Sequence, residues 1–213
     1  MTSNITLSNR LAAAAKLVRS GARLADVGCD HGYVPVYLVQ SGIIPSAVAC
    51  DINQKPLDSC ISLVNEYALN DKIKCVLSNG LQNVSGDEID DILIAGMGGE
   101  LIAEILSSCD YCNKKHLVLN PMTHPELSRK RLYDNGFEID KDIIVSDGRH
   151  HYSVFDAYYT GAKADYTQAD CFLGKIDDFS DKEYFNHLLN YLKNKQKGGY
   201  DYSALIKTIE EKL

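Results

Sequence analysis

The amino-acid sequence predicts an α/β chain: a mainly parallel sheet that ends in an antiparallel hairpin and carries a small C-terminal α-helical hairpin. Three observations predict it. Between residues 22 and 136, short apolar runs alternate with segments of helical period, the pattern of strand–helix–strand units in a parallel sheet. Two strand-like runs then follow at 137–147 and 151–161, joined by a short Asp147-Gly148 link, as in a hairpin. From residue 162 the texture changes to amphipathic helix.

The elements follow in order. Leu7, Leu11, Ala14, Ala15 and Val18 recur at helical spacing, with Thr6 or Ser8 as a cap and Gly21 as a stop. Strands at 22–27, 46–51, 72–77, 90–96 and 116–120 alternate with helices at 34–40, 56–68, 101–106 and 125–135. Gly136 closes the last of these helices. Helices at 178–197 and 202–213 are separated by Gly198-Gly199. Phe185, Leu188, Leu189 and Leu192 line a face of the first, and Leu205, Ile209 and Leu213 a face of the second. The natural division is a main domain over 1–161 and a helical domain over 162–213.

Composition narrows the class of protein. At 45% hydrophobic and 24% charged residues the chain is globular and not disordered. No apolar run is long enough for a membrane helix. Residues 1–7 lack the basic stretch and apolar core of a secretory signal, so a soluble cytoplasmic protein is expected. Seven scattered cysteines point to a reducing compartment rather than a disulfide framework. Cys109 and Cys112 form a lone C-x-x-C; with no second pair at motif spacing, packing is expected and no metal. The net charge is −7, yet Arg10, Lys16, Arg19 and Arg23 all precede the first acidic residue. Arg129-Lys130-Arg131, Arg149-His150-His151 and Lys193/Lys195/Lys197 add local basic patches. Such patches contact phosphates over short range despite an acidic total; each is otherwise a solvated face.

The segment Leu24-Ala-Asp-Val-Gly-Cys-Asp-His-Gly-Tyr33 carries the most chemistry. A buried strand runs through Asp26 into a turn framed by Gly28 and Gly32, ahead of a helix. Glycines there admit close backbone approach to a ligand. The spacing is G-x-x-x-G, not the dinucleotide fingerprint G-x-G-x-x-G, and Asp30 sets a carboxylate where a pyrophosphate would sit. A cationic ligand suits this turn better than a nicotinamide dinucleotide. Asp51 closes the second strand, where a carboxylate accepts from both ribose hydroxyls; a plain turn Asp is the alternative. Together, the glycine loop and Asp51 are the arrangement for a nucleoside that carries a sulfonium and an amino acid. Asn79-Gly80 follows the third strand, either as an adenine-edge contact or simply as a turn. Ala95-Gly-Met-Gly-Gly99 and Asn120-Pro121-Met122 follow the fourth and fifth strands at the carboxyl edge, where open α/β sheets bind ligands.

With these residues in view, the chain resembles the class I S-adenosylmethionine-dependent methyltransferases. More narrowly it resembles the bacterial tRNA (adenine-22-N1)-methyltransferase family. LSNRLAAAAKLV, ADVGCDHGYVP, DDILIAGMGGELIAEIL and LNPMTHPELSRKRL carry the resemblance over nearly the whole chain. It implies a Rossmann-like catalytic domain with a coiled-coil-like helical tail, here a short one, S-adenosylmethionine as cofactor and tRNA as partner. It also implies cofactor contacts from Asp26, Gly28, Cys29, Asp30, Gly32, Asp51, Ile52, Asn79, Gly80, Gly96 and Met97. Asp30, His31 and Tyr33 are the implied catalytic group, with Tyr33 stacking on the flipped base and Asp30 offsetting the positive charge of the methylated product. Arg10, Asn120, Pro121, Met122 and Arg129 are the implied substrate contacts. Three alternatives remain: the same fold acting on another RNA, on a small molecule or protein, or binding without turnover. The basic opening helix favours RNA over a small molecule.

Overall fold

The computed structural model describes residues 5–163 and 165–213, so the first four positions of the opening segment read for a secretory signal lie outside the described residues. Seven strands form one sheet: β1 (Leu24–Val27), β2 (Ala47–Asp51), β3 (Ile73–Leu77), β4 (Asp91–Gly98), β5 (His116–Thr123), β6 (Phe137–Asp147) and β7 (His150–Tyr159). Their order is β3-β2-β1-β4-β5-β7-β6. The first five are parallel, and β7 enters antiparallel between β5 and β6. The strand order reverses between β1 and β4, and that switch opens a crevice at the carboxyl ends of the strands.

Both faces of the sheet are covered, which is why β1 and β2 are buried at every position and read as continuous apolar runs. Helices α1 (Asn9–Leu17), α2 (Tyr33–Gln40) and α3 (Gln54–Glu66) pack a core around Leu24, Ala49 and Leu93. Helices α4 (Gly99–Ser107) and α5 (Pro125–Asp134) cover the other face, around Ile92, Ile94 and Leu119. A third core joins α6 (Gln168–Leu173), α7 (Lys182–Lys197) and α8 (Ser203–Glu210) through Phe172, Phe185, Leu192 and Ile209. No helix among the described residues is long and apolar enough to cross a membrane.

The predicted elements are all present, with three differences. Helix α6 was not expected: it is a single turn and a half, started by a reciprocal Thr167–Asp170 capping box. Helix α7 begins at Lys182 rather than at 178, because Asp181 caps it through the Tyr184 N–H at 3.0 Å. Cys109 and Cys112 are joined as a disulfide, which corrects the expectation that this pair would serve as packing thiols alone.

Candidate active site

Two lobes of one cleft lie at the carboxyl edge of β1, β2 and β4. The first encloses about 300 Å³ and is lined by Arg10, Asp26, Gly28, Asp30, His31 and Tyr33, among others. The second, of about 250 Å³, is lined by Ile52, Asn79, Gly80, Met97, Leu101 and Ile105, among others. Gly28, Asp51, Asn53, Ala95 and Gly96 border both lobes, so the glycine turn and the end of β2 form the ridge between them.

Backbone geometry makes that ridge. Gly28 and Gly32 adopt φ of 74°, a left-handed conformation costly for side chains with a Cβ. A Cβ on Gly28 would collide with the terminal methyl of Met97, and one on Gly32 with the thiol of Cys60. Asp30 shares the left-handed region at φ 50°, which Asp tolerates better than most residues. This turn sends the Asp30 N–H toward Asp51, whose Oδ2 accepts it at 3.3 Å, while Oδ1 accepts from the Asn53 N–H at 2.8 Å.

Asp26 is the electrostatic centre of the first lobe. It is 5% exposed, borders the lobe, and accepts no hydrogen bond from the described residues. Burial, and then repulsion from Asp51, push its carboxyl up to about 7. Facing the same lobe, Arg10 donates from Nη1 to Asn120 Oδ1 at 3.2 Å, and its Nε lies 3.7 Å from Asp147. A carboxylate without a donor and a guanidinium held from below suit the ammonium and carboxylate of an amino acid. The second lobe is apolar on one side through Ile52, Leu101 and Ile105 and polar at Asn79, as a purine requires. The residues therefore fit S-adenosylmethionine.

Of the implied cofactor contacts, Asp26, Gly28, Cys29, Asp30, Asp51, Ile52, Asn79, Gly80, Gly96 and Met97 border one lobe or the other. Gly32 instead serves the turn beneath. The Cys29 side chain is buried; Cys60 beside it lowers the thiol, but burial and nearby negative charge together outweigh this, so it ends above its ordinary value. Asp30, His31 and Tyr33 sit exposed at the mouth, with the His31 and Tyr33 rings 5.4 Å apart.

Two implied substrate contacts are corrected. Arg129 is fully buried and cannot meet a phosphate. It donates from Nε to Asp142 at 2.7 Å and from Nη1 to the carbonyls of Cys171 and Phe172 at 3.1 and 3.0 Å, tying α5 to β6 and α6. Asn120 is likewise fully buried: besides accepting from Arg10, it donates to the Ser153 carbonyl at 3.1 Å. It supports the cleft from beneath without lining it. Pro121 and Met122 line a separate cavity next door. Of the other basic candidates, Arg19 is clamped on Asp91 and Arg23 on Asp90.

Comparison with known proteins shows the family. The chain belongs to the methyltransferase-domain family, which matches residues 7–155. It is 34% identical over 166 residues to a tRNA (adenine(22)-N(1))-methyltransferase of Bacillus subtilis, covering 74% of this chain and 70% of that one. Among solved structures it is similar to M. capricolum TrmK in complex with S-adenosyl-homocysteine, at 28% identity and a TM-score of 0.79. That match covers 97% of this chain and 94% of the other. A Streptococcus pneumoniae protein in complex with S-adenosyl-L-methionine is 30% identical, with a TM-score of 0.84 over 97% and 99% of the two chains.

Proposed function

We propose that the chain transfers a methyl group from S-adenosylmethionine to N1 of adenine 22 in tRNA, in the cytoplasm. The observation that carries this reading is the two-lobed cleft in which donor-free Asp26 and Arg10 face the same space. The similarity to the Bacillus subtilis enzyme directs it to that base. Arg10 and Asp26 hold the amino-acid end, Asp51 accepts from the ribose hydroxyls, and Asn79 meets the adenine edge. When bound, the cofactor supplies an electrophilic methyl on sulfonium.

Few further groups are needed. Adenine N1 has its own lone pair, so alignment does most of the work; good orientation contributes about 7–11 kcal/mol. Tyr33 and His31 offer ring faces at the mouth to receive a base withdrawn from its stack. The Asp30 carboxylate at the same rim offsets the charge that the base gains on methylation. Residues 1–161 form the catalytic unit in this reading, and residues 162–213 a clamp on the tRNA.

Labelled S-adenosylmethionine and unmodified tRNA transcripts test it, with the modified position mapped. Incorporation at adenine 22 that disappears when the base is changed to guanine is the expected result. Cofactor binding without transfer to any transcript would overturn it.

A further inference from the structure

The largest cavity among those described is not the cofactor cleft. It encloses about 640 Å³ and lies between the end of β5, the start of β7 and helix α7. Its size is that of a ligand pocket. The wall nearest the cleft is Pro121-Met122, the two residues after Asn120, which itself holds Arg10.

The lining is aromatic more than aliphatic. Tyr191 stands edge-on to His124 at 6.4 Å and 6.5 Å from Phe172; Tyr152 stands 6.2 Å from His150. Ring faces of this kind bind unstacked nucleobases, while a fatty ligand calls for aliphatic walls. The charge is complementary to RNA as well. Glu126 is the one carboxylate in the lining; it is largely covered and lies 3.1 Å from His124 Nδ1. Arg149 lies at the rim, exposed and without an ion-pair partner among the described residues.

We propose that this cavity is a second nucleotide subsite, which takes a base flanking the target adenine while Arg149 meets an adjoining phosphate. The subsite rests on the tRNA methyltransferase reading. It explains why α7 lies over the sheet edge: the helix supplies Tyr191 and His187 as the far wall. One stretch of RNA then spans both chambers across the Pro121-Met122 partition.

The test uses the full chain, tRNA transcripts carrying 2-aminopurine on either side of adenine 22, and direct RNA-binding titrations. Tyr191→Leu keeps apolar volume against Phe172 but removes the ring face. His187→Ala is an exposed change, with no hydrogen bond to lose among the described residues. Tyr191→Leu is expected to weaken RNA binding between about 5-fold and about 150-fold, the range of base–aromatic stacking. One flanking 2-aminopurine should change fluorescence on binding the unaltered chain and fail to do so with Tyr191→Leu. Arg149→Gln should lower the slope of log K against log salt by about 0.7 to 1. Cofactor affinity, read by calorimetry, should stay unchanged in all three. Should Tyr191→Leu fail to fold, the His187→Ala titration decides, with weaker RNA binding expected. Methylation by the unaltered chain together with unchanged RNA affinity and fluorescence in the variants overturns the subsite alone. Absence of methylation by the unaltered chain overturns the tRNA reading and the subsite with it.

Discussion

Arg10 and Asn120 stand 110 positions apart in sequence and meet at 3.2 Å, the guanidinium of one resting on the amide oxygen of the other. The amide is held in turn by the Ser153 carbonyl. A long, rotatable side chain is thereby fixed over the lobe that contains Asp26. Replacing Arg10 by alanine should raise the dissociation constant for S-adenosylmethionine by about 10-fold or more, since a hydrogen bond to a charged group contributes about 1.5–3 kcal/mol. Asn120→Ala should show part of the same loss, because it frees Arg10 without removing it. Calorimetric titration of the cofactor checks both. An unchanged cofactor affinity with lost transfer would assign Arg10 to the RNA instead.

The buried Asp26 makes cofactor binding depend on pH. Its carboxyl titrates at about 7 in the folded chain, against an ordinary value of 3.8. The folded protein therefore keeps a proton that the unfolded chain has already released. Stability from this group is present below about pH 4 and is lost as pH rises through about 7, at up to about 1.4 kcal/mol per unit. An ammonium bound beside Asp26 favours the ionised form, so cofactor affinity should rise through the same window. Scanning calorimetry and cofactor titration from about pH 5 to about pH 8 check this, with Asp26→Asn expected to flatten both curves.

These two residues mark what a sequence can and cannot disclose. Asp26 was readable because a buried strand that ends in a glycine turn announces itself locally. So was the sheet with its closing hairpin, since each strand and helix carries its own period. The Arg10–Asn120 contact spans most of the catalytic fold, and no local pattern encodes it. Arg129 was misread for a different reason. In the run Arg129-Lys130-Arg131 the three charges look alike, yet only Arg129 shares the α5 face of Ser128, Leu132 and Tyr133. Applying the helical period to the basic run would have separated it. Helix α6 carried a signal as well, the T-x-x-D of its capping box, but its six residues are too few for a periodicity.

His116 bridges two carboxylates, with Nδ1 3.2 Å from Asp91 and Nε2 3.1 Å from Asp156. Burial alone would lower this imidazole, but hydrogen bonds to Asp156 and Asp91, together with their charges, hold it up at about 9. The sign is that of a cation gaining partners. Stability from this group is complete below the unfolded value of 6.5 and is lost as pH rises through about 9. Denaturant melts between about pH 6 and about pH 9.5 should show that decline, and His116→Gln should remove it. The same variant should also destabilise the fold at neutral pH, because Asp156 stays buried without its cation while Asp91 keeps Arg19.

Arg129 gives the sharpest separation of structure from substrate binding. Its guanidinium is fully buried, paired with Asp142 and bonded to Ser153 and to the last carbonyls of α6. Its planar fork satisfies four groups at once, which a lysine ammonium cannot reproduce. Arg129→Lys should therefore destabilise the fold, and Arg129→Ala should cost about 3–5 kcal/mol by leaving Asp142 buried and unpaired. The loss should appear first as faster amide exchange in residues 168–174, where the two carbonyl contacts anchor α6 to α5. The salt dependence of RNA binding by the still-folded Arg129→Lys chain should match that of the unaltered protein. A reduced salt slope would instead return Arg129 to the phosphate-binding surface.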